Sequence, residues 1–206
     1  MAEERYPGYR VLSQKGHWDE TTRKILLDRV YNVPGYRHFD SHQQRTLEAL
    51  CERVMPQTGR PPDRRVPIGP WIDQIVRQVV IEGYRFDDMP PVDVAWKWGL
   101  EGLDQTAQIA FGGSFAGLSG ARQDRVLDSV RGGSALGEIW ARMPAARWWI
   151  YVAVRQITGV YYAHPYAWDE IGFGGPAYPR GYSALNFGAK EPWEVNEAPQ
   201  DGEERR

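Results

Sequence analysis

The chain has one cysteine, Cys51, in 206 residues, so it can close no disulfide within itself, and a lone thiol on an apolar helix face behaves as a small hydrophobe. A surplus of either charge is also lacking. Its 25 Lys and Arg against 27 Asp and Glu leave a formal net charge of −2, which removes any general electrostatic attraction to nucleic acid or an anionic bilayer. Long hydrophobic runs are absent: the longest, Trp148 to Val154, is bracketed by Arg147 and Arg155 and falls far short of the roughly 20 residues of a membrane-spanning helix. Residues 1–9 carry no basic region, apolar core or twin-arginine pair. The expectation is a cytoplasmic protein, periplasmic only if a partner that carries the address takes it there.

Catalytic signatures are missing as well. Gly112-Gly113-Ser114-Phe115-Ala116 and Gly132-Gly133-Ser134-Ala135-Leu136 each lack the closing glycine of a nucleophile elbow, and neither follows a strand pattern. Gly172-Phe173-Gly174-Gly175-Pro176-Ala177 follows no strand either, and its proline disrupts the helix start that would hold a pyrophosphate. The histidines are His17, His38, His42 and His164, with no His-Glu-x-x-His among them. His38, Asp40 and His42 alternate just before a helix cap, where a solvated turn is the simpler reading than a metal site. His164 with Asp169 and Glu170 could serve general acid-base chemistry; the competing role is to fix a loop by hydrogen bonds or to contact a partner.

What is present is helical periodicity. Leu47, Leu50, Cys51 and Val54 recur at helical spacing between Ser41, a cap residue, and Pro56, predicting a helix over 41–55. After a proline-rich loop, in which Arg60, Arg64 and Arg65 read as a solvated cluster, Ile68, Ile72, Ile75, Val76 and Val79 predict a second helix to Gly83. A longer one follows Pro90 and Pro91 to Phe111, a short one starts after Ser119, and Pro144 opens a last one through Val160. Trp96, Trp98, Trp148 and Trp149 on these helices suit core packing, with a stacked ligand as the rival use. The prediction is an all-α fold: a bundle-like body of five to six helices over 41–160. Irregular arms flank it, 1–40 with one short helix and 161–206 ending in an acidic tail.

The C-terminal arm is the most distinctive segment. From Tyr161 to Trp193 it holds nine aromatics, five glycines and four prolines in 33 residues, and the stretch from Tyr161 to Tyr182 within it reads as neither a regular helix nor a strand. Rings on a stiffened, extended backbone carry contact area at low ordering cost. Such an arm either wraps its own domain or docks on a partner. In the second case the anchors are Tyr162, His164, Pro165, Trp168, Phe173, Tyr178, Pro179, Tyr182 and Trp193.

Several pieces taken together have a familiar order. Leu-Glu-Ala-Leu-Cys-Glu-Arg-Val-Met-Pro (47–56), Val-Pro-Ile-Gly-Pro-Trp-Ile-Asp (66–73), Gly-Leu-Glu-Gly-Leu-Asp (99–104), Phe-Gly-Gly-Ser-Phe (111–115) and Thr158-Gly159-Val160-Tyr161-Tyr162 before His164-Pro165 resemble the gluconate 2-dehydrogenase subunit 3 family. The resemblance implies a small, cofactor-free, non-catalytic subunit. Its partner would be a large FAD-dependent flavoprotein of the glucose-methanol-choline type that oxidises sugars, sugar acids or glycosides, and a cytochrome c or iron-sulfur protein would accept the electrons. The chain departs from the family in lacking the twin-arginine signal of several relatives. It also has Tyr166-Ala167-Trp168-Asp169 where they carry Tyr-Gly-Gly-Asn. Two other functions stay open on the residues: an independent sugar enzyme using His164, Asp169 and Glu170, and a transient chaperone for the flavoprotein.

Overall fold

The computed structural model describes residues 5–78, 83, 85–184, 186 and 188–197. Among them are eight α-helical segments and no strand: α1 (Glu20–Tyr31), α2 (Ser41–Val54), α3 (Ile68–Gln78), α4 (Val92–Phe111), α5 (Gly120–Arg131), α6 (Ala145–Trp148), α7 (Arg155–Tyr162) and α8 (Pro165–Ile171). The all-α class is as the periodicity predicts, with more segments than the five or six expected. A π-helical run, Trp149–Val154, joins α6 to α7, so one predicted helix is three segments. The chain divides into two compact units. A helical unit comprises Pro34–Thr58 and Pro67–Tyr161, and a terminal unit gathers Met1–Val33, Gly59–Val66 and Tyr162–Arg206.

In the helical unit, α4 is the centre because it is apolar on most sides. Trp96, Leu100 and Leu103 are fully buried, and α2 and α5 pack on it through Leu47, Leu50, Val126 and Val130. Two glycines of α4 make room for large rings. A Cβ on Gly99 would lie 1.9 Å from the Trp148 ring, and one on Gly102 would lie 2.4 Å from the Trp140 ring. Trp148 in turn meets Trp96 edge-on at 6.0 Å, so Trp96 and Trp148 are core residues and stack no ligand.

Local signals set the helix ends. Asp40 rather than Ser41 caps α2: it accepts from the His42 and Gln43 amides at 2.8 and 2.9 Å, and Gln43 returns a bond to the Asp40 amide at 3.1 Å. α4 starts after Pro91 and ends at Gly112, whose φ of 74° suits only a residue without a Cβ. Ser119 precedes α5 but makes no side-chain capping bond. α3 is described to Gln78, so the remainder of the helix predicted to Gly83 includes positions outside the described residues. Its Asp73 is fully buried and accepts from three successive amides, Arg37, His38 and Phe39, at 2.9 Å each. Donation by that many backbone N–H groups to a carboxylate is what makes its burial tolerable.

The terminal unit overturns one expectation. Residues 161–182 include a regular helix, α8, because Tyr166 to Ile171 contain neither glycine nor proline. Pro165 occupies the first turn, where its missing N–H costs nothing, and Gly172 (φ 65°) stops the helix. The N-terminal stretch is likewise more ordered than an arm: a 3₁₀ turn, Val11–His17, leads into the 12-residue α1, which Asp19 caps.

Candidate partner interface

Trp168 pins the terminal unit. It is 7 % exposed and packs with Val11, Trp18 and Leu26, while its Nε1–H donates to the Tyr162 carbonyl at 2.6 Å. Burial of one large ring against three apolar neighbours is the main stabilising contribution available to so small a core. Polar bonds fix the orientation of α8. Asp169 accepts from the Val11 amide at 2.7 Å and pairs with Arg64, whose guanidinium also lies 4.9 Å from the Tyr166 ring centroid. Arg60 reaches Glu170 at 2.7 Å and the Tyr166 carbonyl at 2.9 Å. Arg60 and Arg64 therefore clamp α8 instead of being solvated, while Arg65 is exposed as its composition suggests. Burial, the largest influence, pushes the Asp169 carboxyl up from its ordinary range, against the pull of the Val11 amide and of Arg64.

His164 is built into the same lattice. Its Nδ1 accepts from the Tyr166 amide at 3.2 Å, and Nε2 lies 3.1 Å from the Arg29 carbonyl, which can only accept, so the ring proton belongs on Nε2. Burial holds its pKa down, to about 4, with the charges of Arg60 and Arg29 adding to the effect and the Arg29 carbonyl opposing it. The imidazole is neutral, with both nitrogens engaged. The three groups of the sugar-enzyme alternative thus all serve to hold α8 in place: His164 caps it, Asp169 ties it to Val11 and Arg64, and Glu170 pairs with Arg60.

The anchors read from the sequence fall into two sets. His164, Pro165 and Trp168 are buried inside their own unit, because α8 turns them inward. That corrects their placement on an outward surface. Tyr162, Phe173, Tyr178, Pro179 and Tyr182 are exposed, with Tyr178 at 69 % and Tyr182 at 59 %, and Trp193 is half-buried. Side-chain bonds hold this segment without regular structure. Tyr9 donates to the Phe173 carbonyl at 3.2 Å, and Glu191 accepts from the Ser183 and Ala184 amides. Gly174 lets the Trp193 ring approach, and the Arg180 guanidinium lies 4.2 Å from that ring's centroid.

Sequence reasoning missed four further exposed side chains of this unit: Ile25, Tyr31, Val33 and Ile171. Ile25 lies on a helix beside buried Leu26, and one apolar residue next to another does not reveal which faces out; Ile171 is the last residue of the short α8. With them, eight of the thirteen large exposed hydrophobic side chains among the described residues belong to the terminal unit, the smaller of the two. The exposed apolar side chains among the described residues are thus concentrated in one of the two units.

Other candidates resolve into structural roles. A groove of about 910 Å³ in the helical unit is bordered by Asp40, His42, Glu101, Asp104 and Glu138. Asp104, however, bonds His42 Nε2, Thr46 Oγ1 and the Phe115 amide at 2.9, 2.9 and 2.8 Å, and so fastens α2 to the turn after α4. Among the described residues no group of three or more His, Cys, Asp or Glu is placed to hold a metal ion. Nor is any described helix long and apolar enough to cross a membrane. The glycine-rich stretch after α8 makes no phosphate cradle. A Cβ on Gly175 would meet Trp18 and Val11 at 3.0 and 3.1 Å, so its own unit's side chains fill that space.

Neither the comparison with curated proteins nor that with solved structures yields a match. Residues 41–175 match the family model described as gluconate 2-dehydrogenase subunit 3, a span that runs from the first residue of α2 through α8 to Gly175 and takes in more than half of the 206 residues. With the helices of the core from α2 onward and α8 itself inside that span, the chain belongs to the gluconate 2-dehydrogenase subunit 3 family.

Proposed function

We propose that the chain is the non-catalytic small subunit of a dehydrogenase complex, binding and stabilising a large FAD-dependent flavoprotein of the glucose-methanol-choline type that oxidises a sugar or glycoside. Flavin and catalytic bases belong to the large subunit in this reading, and a cytochrome c or iron-sulfur protein takes the electrons. The observation that carries it is the set of exposed rings, Tyr162, Phe173, Tyr178 and Tyr182, on a unit tied together by buried Trp168 and its clamps. Aromatic rings have few rotatable bonds, so they lose little entropy on docking for the area they bury. The engagement of His164, Asp169 and Glu170 in fixing α8 weighs against the rival reading of an independent sugar enzyme.

The test is co-expression with a large FAD-dependent flavoprotein of the glucose-methanol-choline type from the same source. The expected result is a stable one-to-one complex with flavin on the large chain, and no sugar turnover by the small chain alone. Turnover by the purified small chain would refute the proposal. Release of the chain once the flavoprotein has folded would mark a chaperone instead.

A further inference from the structure

Asp104 is committed to fastening α2, but the groove of about 910 Å³ that it borders carries further charge. The described lining holds four carboxylates, Asp40, Glu101, Asp104 and Glu138, and neither Lys nor Arg, in a chain whose overall charge is nearly balanced. Asp40 is spent on the cap of α2. Glu101 and Glu138 are exposed, and among the described residues neither forms an ion pair. Gln105 ties the two together. Its Nε2 donates to Glu101 Oε1 at 3.1 Å, and its Oε1 accepts from the Ile139 amide at 3.2 Å, so the turn that bears Glu138 lies against the same side chain. A cleft lined by charge of one sign, with low-dielectric walls, concentrates its field and draws the opposite charge.

The groove also has an apolar part: Leu100, fully buried, and Ile109, 60 % exposed, both line it. Glu101, Gln105, Gln108 and Ile109 recur at helical spacing, so the groove follows one face of α4 for two turns, about 12 Å. That length matches about four residues of extended chain. From Gln105 to Ile109 is about 6 Å along the helix, close to the spacing of side chains two apart on an extended segment. We infer that the groove takes an extended segment of the large subunit, which sets an Arg or Lys beside Glu101 and Glu138 and an aliphatic side chain on Ile109. The inference rests on the subunit reading above and adds to it a contact on the helical unit, distinct from the exposed rings of the terminal unit.

The test measures the dissociation constant of the complex with a glucose-methanol-choline-type flavoprotein from the same source, for the wild-type chain and for the Glu101→Gln, Glu138→Gln double variant. Glutamine keeps size and hydrogen bonding and removes only charge, so the double variant should bind about 10-fold or more weakly. Binding within about 2-fold of wild type, less than the loss of one close charge pair, would overturn the inference. A measurement on the unmutated chain guards against a variant that folds poorly. The Ile109 methyl resonances should move when the flavoprotein is added, and unmoved resonances in a formed complex would equally overturn it. Movement on concentrating the chain alone would assign the groove to a second copy and overturn it too. A wild-type chain that does not associate defeats the subunit reading and this inference with it; association indifferent to Glu101 and Glu138 defeats this inference alone.

Discussion

Trp168→Ala separates a ring that holds its own unit together from one that grips a partner. The indole is 7 % exposed against Val11, Trp18 and Leu26, so its removal takes away a buried aromatic surface and leaves a cavity that these neighbours would have to collapse to fill. Substitutions of this kind cost about 3–5 kcal/mol. The Tyr162 carbonyl also loses its 2.6 Å donor, worth about 1 kcal/mol, so a loss near the top of that range is expected. Tyr178→Ala is the contrast. At 69 % exposure its truncation should move stability by no more than about 0.5 kcal/mol, yet weaken association with the flavoprotein by about 2 kcal/mol or more. Urea unfolding of the isolated chain, followed by tryptophan fluorescence and far-ultraviolet circular dichroism, gives the first quantity, and titration with the flavoprotein gives the second. If Trp168→Ala costs less than about 1.5 kcal/mol of stability while abolishing assembly, well short of a core truncation, the reasoning fails and the ring is a partner anchor after all.

Two further outcomes follow from buried polar groups. Asp73→Ala would orphan the amides of Arg37, His38 and Phe39 and should cost about 3–5 kcal/mol in denaturant unfolding; Asp73→Asn, which keeps one acceptor oxygen, should cost less. His164 makes stability depend on pH. Its folded pKa, held at about 4 against an ordinary 6.5, means that between those values the unfolded chain binds a proton the folded chain refuses. The contribution is complete above pH 6.5 and is lost as pH falls towards 4, amounting to something on the order of 3 kcal/mol. Unfolding measured across that window should show the slope, and His164→Asn should flatten it.

The helical unit was legible in the sequence because its periodicity is local. Leu47, Leu50 and Cys51 mark a face, and Pro56, Pro91 and Gly112 punctuate it, so α2 and α4 lie within a residue or two of where spacing puts them. The cap of α2 was missed by one position because Asp40 and Ser41 are both good cap residues, and only the returning Gln43 bond decides between them. The terminal unit was hidden for a different reason. Its core joins Val11, Trp18, Leu26 and Trp168, and its clamps join Arg60 and Arg64 to α8, pairings of high sequence separation that no window of residues displays. Aromatic and glycine density marked the right segment but could not tell Trp168, turned inward, from Tyr178, turned out. Spacing distinguishes faces only within a regular element, and α8 is too short and too bracketed by glycine and proline to show one.

Side-chain footprinting of the chain, alone and in complex with the flavoprotein, tests the central claim most directly. Tyr162, Phe173, Tyr178 and Tyr182 should label readily in the free chain and become protected in the complex, while the already buried Trp168 labels weakly in both. Equal labelling of those four rings in the free and bound chain would contradict the account.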